Sequence, residues 1–156
     1  TPTPTATGLP THTPTVTLTP VLPAGLRFNE VSPSELYDWS LSGSVTPADR
    51  YFELINWSAQ AADISGWSVG NGVDLYTFPP GTTIGPYARK VFLAEDTLPI
   101  LDEADLTLYD ASMGFVTWVI YSGRPGAGYC YAASPDGSGS FTWVAPENCT
   151  PGQPNP

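Results

Sequence analysis

Basic side chains are scarce in this chain. Against 15 acidic residues it carries only five cations, for a formal net charge of -10 at pH 7. Arg27, Arg50, Arg89, Lys90 and Arg124 are scattered along the chain, with Arg89 and Lys90 the one adjacent pair. Nucleic acid is bound by clustered cations that displace its counterions, so nucleic acid is excluded as a partner, and the same repulsion disfavours an anionic membrane surface. Histidine is nearly absent: His12 is the only one and Lys90 the only lysine. With no base near either cysteine in sequence, a nucleophile-base-acid relay has no parts to be built from. No apolar run approaches the 18 residues a membrane-spanning helix needs, so no membrane insertion is expected. No basic-then-apolar leader opens the chain either, and the sequence is expected to begin inside a longer protein.

What is present is a folded middle between polar ends. Of 156 residues, 41% are hydrophobic and 13% charged, a balance that suits one globular core rather than a charge-rich disordered chain. Residues 1–24 are dominated by Thr and Pro, without a charged side chain, and read as a semi-rigid tether, because Pro removes backbone donors and β-branched Thr stiffens an extended chain. Residues 25–150 form the expected domain, and 151–156 (PGQPNP) read as the start of a second linker. The tether, the scarcity of Lys and two cysteines near the domain's end point to export.

Within the domain, short β-branched and aromatic runs alternate with Gly, Pro, Asp and Asn, which predicts an all-β sandwich of about seven to ten short strands. The expected strands are 26–31, 50–56, 64–69, 73–78, 82–84, 89–94, 106–109, 115–121, 128–132 and 140–144, with no long helix. Period-two alternation puts Leu26, Phe28 and Glu30 on one face of the first strand. In the second it sets Phe52, Leu54 and Asn56 against Tyr51, Glu53 and Ile55, with Phe52 and Leu54 chosen as core. Ser34 to Ser44, carrying Tyr37 and Trp39, is a long ordered connection with room for one helical turn.

Three segments, FNEVSPS (28–34), DRYFELINWS (49–58) and DISGWSV (63–69), stand in a distinctive order, followed by FPPGTTIGPYARKVFLA (78–94) and a closing SPDGSGSFTW (134–143). Together they resemble the lamin-tail domain, with Asn29, Glu30, Asp49, Glu53, Leu54, Asn56, Asp63, Ser65, Gly66 and Trp67 on the matching positions. The resemblance implies an immunoglobulin-like β-sandwich and, in its bacterial secreted setting, an accessory module that binds or supports neighbouring domains. The chain departs from that family after Gly114. Thr117 stands where an aspartate is expected, and Trp118 and Ile120 replace small polar groups.

Four groups of residues carry chemistry. Glu30, Asp49 and Glu53 are the only carboxylates that invite a glycosidase-like pairing, but they are more simply structural, with Asp49 ordering a turn and Glu53 pairing with Arg50 or Arg27. Asp102, Glu103 and Asp105 cluster in one loop, where calcium is the candidate ion, although no EF-hand spacing is present. Cys130 and Cys149, 19 positions apart, are expected to form a disulfide. Val116, Trp118 and Ile120 would share the outward face of one strand as an apolar stripe, either a binding surface or a patch covered by the 34–44 loop through Trp39 or Tyr37.

These readings converge on a monomeric, noncatalytic interaction or architectural module of a secreted or cell-surface bacterial protein. Its partner would be another protein or a cell-surface polysaccharide. Carbohydrate binding through exposed aromatics is the first alternative, and a calcium-stabilised adhesion module the second.

Overall fold

The structure, a computed structural model, describes residues 25–156. The expected tether at 1–24, with His12, lies outside the described residues. The remainder is the expected all-β sandwich, in eleven strands rather than seven to ten: β1 (Leu26–Ser32), β2 (Tyr51–Asn56), β3 (Ala62–Asp63), β4 (Ser68–Gly70), β5 (Leu75–Thr77), β6 (Thr83–Ile84), β7 (Arg89–Leu93), β8 (Ala104–Tyr109), β9 (Phe115–Tyr121), β10 (Cys130–Ala133) and β11 (Phe141–Val144). One sheet runs β11-β10-β1-β2-β7 and the other β5-β4-β8-β9, all antiparallel, while β3 and β6 form a small separate ladder.

The core lies between the two larger sheets. Leu26, Phe28 and Val31 of β1, Phe52 and Leu54 of β2 and Phe92 of β7 meet Val69, Leu106, Leu108, Val119 and Tyr121 from the opposite sheet. Phe52 stacks on Phe92 with ring centroids 5.1 Å apart and takes Phe28 edge-on at 6.0 Å, arrangements that suit the aromatic quadrupole. The disulfide between Cys130 and Cys149 ties β10 to the segment beyond β11.

Residues 64–69 are not one strand. The sequence DISGW instead folds into a turn between β3 and β4. The Asp63 carboxylate accepts the Ser65 amide at 2.9 Å and its hydroxyl at 2.6 Å, and Gly66 adopts φ +75°, a conformation that a Cβ would strain. The turn drives Trp67, 5% exposed, into the core.

Bulges overturn two further alternation expectations. In β1, Phe28 pairs with Leu54 and Glu30 with Glu53, leaving Asn29 as the extra residue. A one-residue slip reverses the facing of everything after it, so Glu30 leaves the core face that Phe28 occupies. In β9, Thr117 pairs with Leu108 and Phe115 with Tyr109, so Val116 is the extra residue. Val116 consequently packs against the core, and the exposed row is Phe115, Trp118 and Ile120 rather than Val116, Trp118 and Ile120.

The 34–44 connection is ordered but contains no helical turn. That turn falls later, at Pro47–Asp49, where the Asp49 carboxylate accepts the amides of Ser40 and Thr46, both at 2.8 Å. Burial pushes the Asp49 carboxyl up, but these backbone donors outweigh it and hold the group below its ordinary range. Nor does the connection cover the β9 stripe. Trp39 meets Tyr51 of β2 edge-on at 6.2 Å and Tyr37 lies against Trp39 at 5.3 Å, so both side chains cap the other sheet.

Candidate functional site

Two regions gather the residues singled out by sequence, and they differ in exposure. The first is a sealed polar cluster on the outer face of the five-stranded sheet. Glu30 and Glu53, register partners on β1 and β2, are both 0% exposed. Tyr51 donates its hydroxyl to Glu30, which also accepts the Thr150 amide at 3.2 Å and the Thr150 hydroxyl at 3.2 Å. Glu53 accepts from the Asn29 side chain at 2.7 Å and from the Gly152 amide at 2.6 Å.

Asp136 completes the group. It forms an ion pair with Arg89 and accepts the second Asn29 contact at 2.8 Å. Asn155 donates its side-chain amide to the carbonyls of Asn29 at 3.0 Å and Ala133 at 2.9 Å. Residues 150–155 are thereby a strap bonded to β1, β2 and β10, not the start of a free linker. Glu53 consequently pairs with neither Arg50 nor Arg27. Arg50 goes to Glu35 at 2.7 Å, and Arg27 donates to the Gly137 carbonyl at 2.8 Å.

Glu53 and Asp136 thus share one cation, Arg89, with the Glu30 carboxylate buried beside Glu53. Burial pushes the Glu53 carboxyl up to about 7, against the opposing hydrogen bonds from Asn29 and Gly152, and the nearby Glu30 charge pushes in the same direction. Glu30 is also raised, chiefly by burial, and Tyr51 is raised well above its ordinary range by burial and by the Glu30 charge. Among the described residues no buried side-chain nitrogen or oxygen lacks a hydrogen-bond partner. A fully paired network of this kind fixes structure.

The other motif residues lie elsewhere. Asn56, also 0% exposed, joins β2 to the β6–β7 connection. Its amide donates to the carbonyls of Gln60, Ile84 and Gly85, and its oxygen accepts the Ser58 amide at 3.2 Å. Leu54 and Trp67 are core. Glu30 does lie with Cys130 and Cys149 in the one three-ligand cluster found among the described residues, but with both sulfurs in the disulfide no thiolate is present to ligate an ion.

Asp102, Glu103 and Asp105 do not converge on one ion. Asp102 takes Arg50 at 3.1 Å and Arg124 at 3.8 Å, Glu103 accepts the Gly123 amide at 3.0 Å, and Asp105 stands exposed on β8 opposite Ile120. Asp102 thus finds counter-charges in Arg50 and Arg124 and Glu103 a backbone donor, where calcium was the candidate partner.

The second region is the outer face of the four-stranded sheet. Alternation buries Leu106, Leu108, Val119 and Tyr121 and turns their neighbours out. Trp118 is 57% exposed, Phe115 61%, Ile120 52% and Leu75 55%. Register puts these on one face: Trp118 pairs with Thr107, Thr107 with Gly70 and Gly70 with Leu75 on the far edge strand, while Phe115 stands beside Tyr109. Gly70 leaves the space that Leu75 and Tyr109 fill, since a Cβ there would approach Leu75 Cδ1 to 3.3 Å and Tyr109 Cε2 to 3.7 Å. The missing side chain at Gly70, the bulge at Val116 and the cross-strand register together make the patch, and no short motif announces any of them.

At the edge of this face an open groove of about 480 Å³ runs between the start of β9 and the start of β1, flanked by Phe115, Trp118, Phe141, Thr117, Ser138 and Arg27. A scan of the chain against protein-family models finds no match, and a search of curated proteins finds none either.

Proposed function

We propose that this chain is a noncatalytic interaction module of an exported protein, a lamin-tail-like β-sandwich that engages its partner through the outer face of the four-stranded sheet. The observation that carries this reading is the exposed row Phe115, Trp118 and Ile120 on β9, with Leu75 three strands across on the same sheet face. Contiguous apolar surface on a soluble domain costs solvation and invites aggregation unless a partner covers it, so its concentration on one sheet face marks an interface. The disulfide supports export, since such bonds persist in oxidising compartments. The burial and complete pairing of Glu30 and Glu53 support a structural rather than a catalytic role for the motif carboxylates.

The test is iodide quenching of tryptophan fluorescence, with Trp118→Phe as the difference reference. A quenchable Trp118 that becomes shielded when the neighbouring domains of the full-length protein or a surface extract are added supports the reading. A Trp118 shielded in the isolated domain overturns it.

A further inference from the structure

The groove at the β9 edge defines a ligand class, an inference that rests on the outer face of β9 being the binding surface. We infer that it takes a single soluble chain of a neutral, pyranose-based glycan. Its volume of about 480 Å³ falls in the range of about 300 to 1,000 Å³ typical of small-ligand clefts, and it is open to solvent.

Its lining has the two components that pyranose recognition needs. Phe115, Trp118 and Phe141 supply aromatic rings, against which the flat C–H faces of sugar rings stack. Phe141 is held by stacking on Tyr131 at a centroid distance of 5.3 Å, and Tyr131 in turn meets Trp143 at 5.0 Å, so this wall is preorganised. Thr117 and Ser138 add hydroxyls that can donate or accept, and Arg27 adds donors beyond the one committed to Gly137. β9 also ends its sheet. Among the described residues its main chain pairs only with β8, which leaves the groove-side backbone donors and acceptors for ligand hydroxyls.

Charge selects among glycans. The chain carries a net charge of -10, which repels uronate or sulfated polymers at long range, and the groove has no carboxylate to pair a cationic amino-sugar polymer, its one charged side chain being Arg27. A neutral chain meets neither penalty. Asp105, the sheet-face carboxylate opposite Ile120, is not part of the groove wall.

The experiment is titration of the full chain, residues 1–156, with neutral soluble glucans, xylans and mannans, alongside a polyuronate and a cationic chitosan. It is followed by calorimetry and Trp fluorescence, and repeated with Trp118→Ala, Phe115→Ala and Ile120→Ala. The expected result is binding of at least one neutral glycan with little dependence on salt. Trp118→Ala and Phe115→Ala should each weaken it about tenfold or more, and Ile120→Ala should change it less than threefold. These side chains are more than half exposed, so the variants are expected to fold, and an unchanged melting temperature checks this.

Failure of every neutral glycan to bind, with Trp118 still quenchable by iodide, overturns the glycan inference and leaves the interaction face standing. Shielding of Trp118 in the free domain overturns both. Preferential binding of the polyuronate or the chitosan overturns the charge argument, and so the inference.

Discussion

The outer faces of the two sheets make the most instructive contrast in the molecule. Both begin as one side of an antiparallel sheet, which can face water. On the five-stranded sheet nothing of β2 remains exposed: every residue from Tyr51 to Asn56 is buried, under Trp39 and the 34–44 connection at one end and the 150–155 strap at the other. On the four-stranded sheet Trp118, Phe115, Ile120 and Leu75 remain more than half exposed, without a covering element among the described residues. The covered face holds carboxylates and the bare face holds aromatics, an inversion of the usual polar-out arrangement. Buried carboxylates demand partners, and the strap supplies them as backbone amides. Exposed aromatics need a cover too, and on this reading it comes from another molecule.

Breaking the cover on the first face should have the largest effect. Replacing Cys130 and Cys149 with Ser releases the segment that leads into the strap, and loss of the cross-link should cost about 2 to 5 kcal/mol. Urea unfolding of the double variant measures it, and a change below 1 kcal/mol would show that the strap is anchored without the disulfide.

Next in size is a pH dependence of unusual sign. Glu53 has its folded value raised from 4.5 to about 7, so the native state binds a proton through that window that the unfolded chain does not. Stability from this group is complete below pH 4.5 and lost as pH rises through 7. At about 1.4 kcal/mol per pH unit, the window is worth on the order of 3 kcal/mol. Glu30 acts in the same direction, whereas Asp49 and Glu35 are depressed and lose their contribution only as pH falls through the acid range. The melting temperature should therefore be higher at pH 5 than at pH 8, and Glu53→Gln should flatten that slope. Equal melting temperatures at the two values would contradict the sealed cluster.

A third test sharpens the contrast at one residue. Asn155→Ala removes two buried donors to the Asn29 and Ala133 carbonyls and should cost about 1 to 3 kcal/mol, read by chemical denaturation. Deletion of 151–156 should cost at least as much, whereas a free linker would be deleted without effect. The smallest expected effect belongs to the bare face. Trp118→Ala should leave stability within about 0.5 kcal/mol, because the side chain is 57% exposed. A large loss there would mean that Trp118 contributes to the core and that the two faces are less different than they stand.

Sequence legibility followed the same division. Hydrophobic periodicity identified β2, β7, β8 and β9 closely, because each repeats its period over several residues, and it identified Phe52 and Leu54 as core. It failed at 64–69, where the Asp63 side chain closes a turn inside a run that reads as strand, and at Asn29 and Val116, where one extra residue reverses the pattern. The exposed row was legible in Trp118 and Ile120 but not in Phe115, which only the bulge brings to that face. The strap was not legible at all. Pro and Gly make PGQPNP look like linker, while its anchoring depends on acceptors 22 to 126 residues away.

By itself, then, the sequence determined the all-β class, the approximate strands and the cystine, because these depend on local periodicity, turn-forming residues and a cysteine count. Only the tertiary structure decided which sheet face is sealed and which is bare. Both outcomes depend on register and on bonds between the two ends of the chain, and neither is encoded within any window short enough to read.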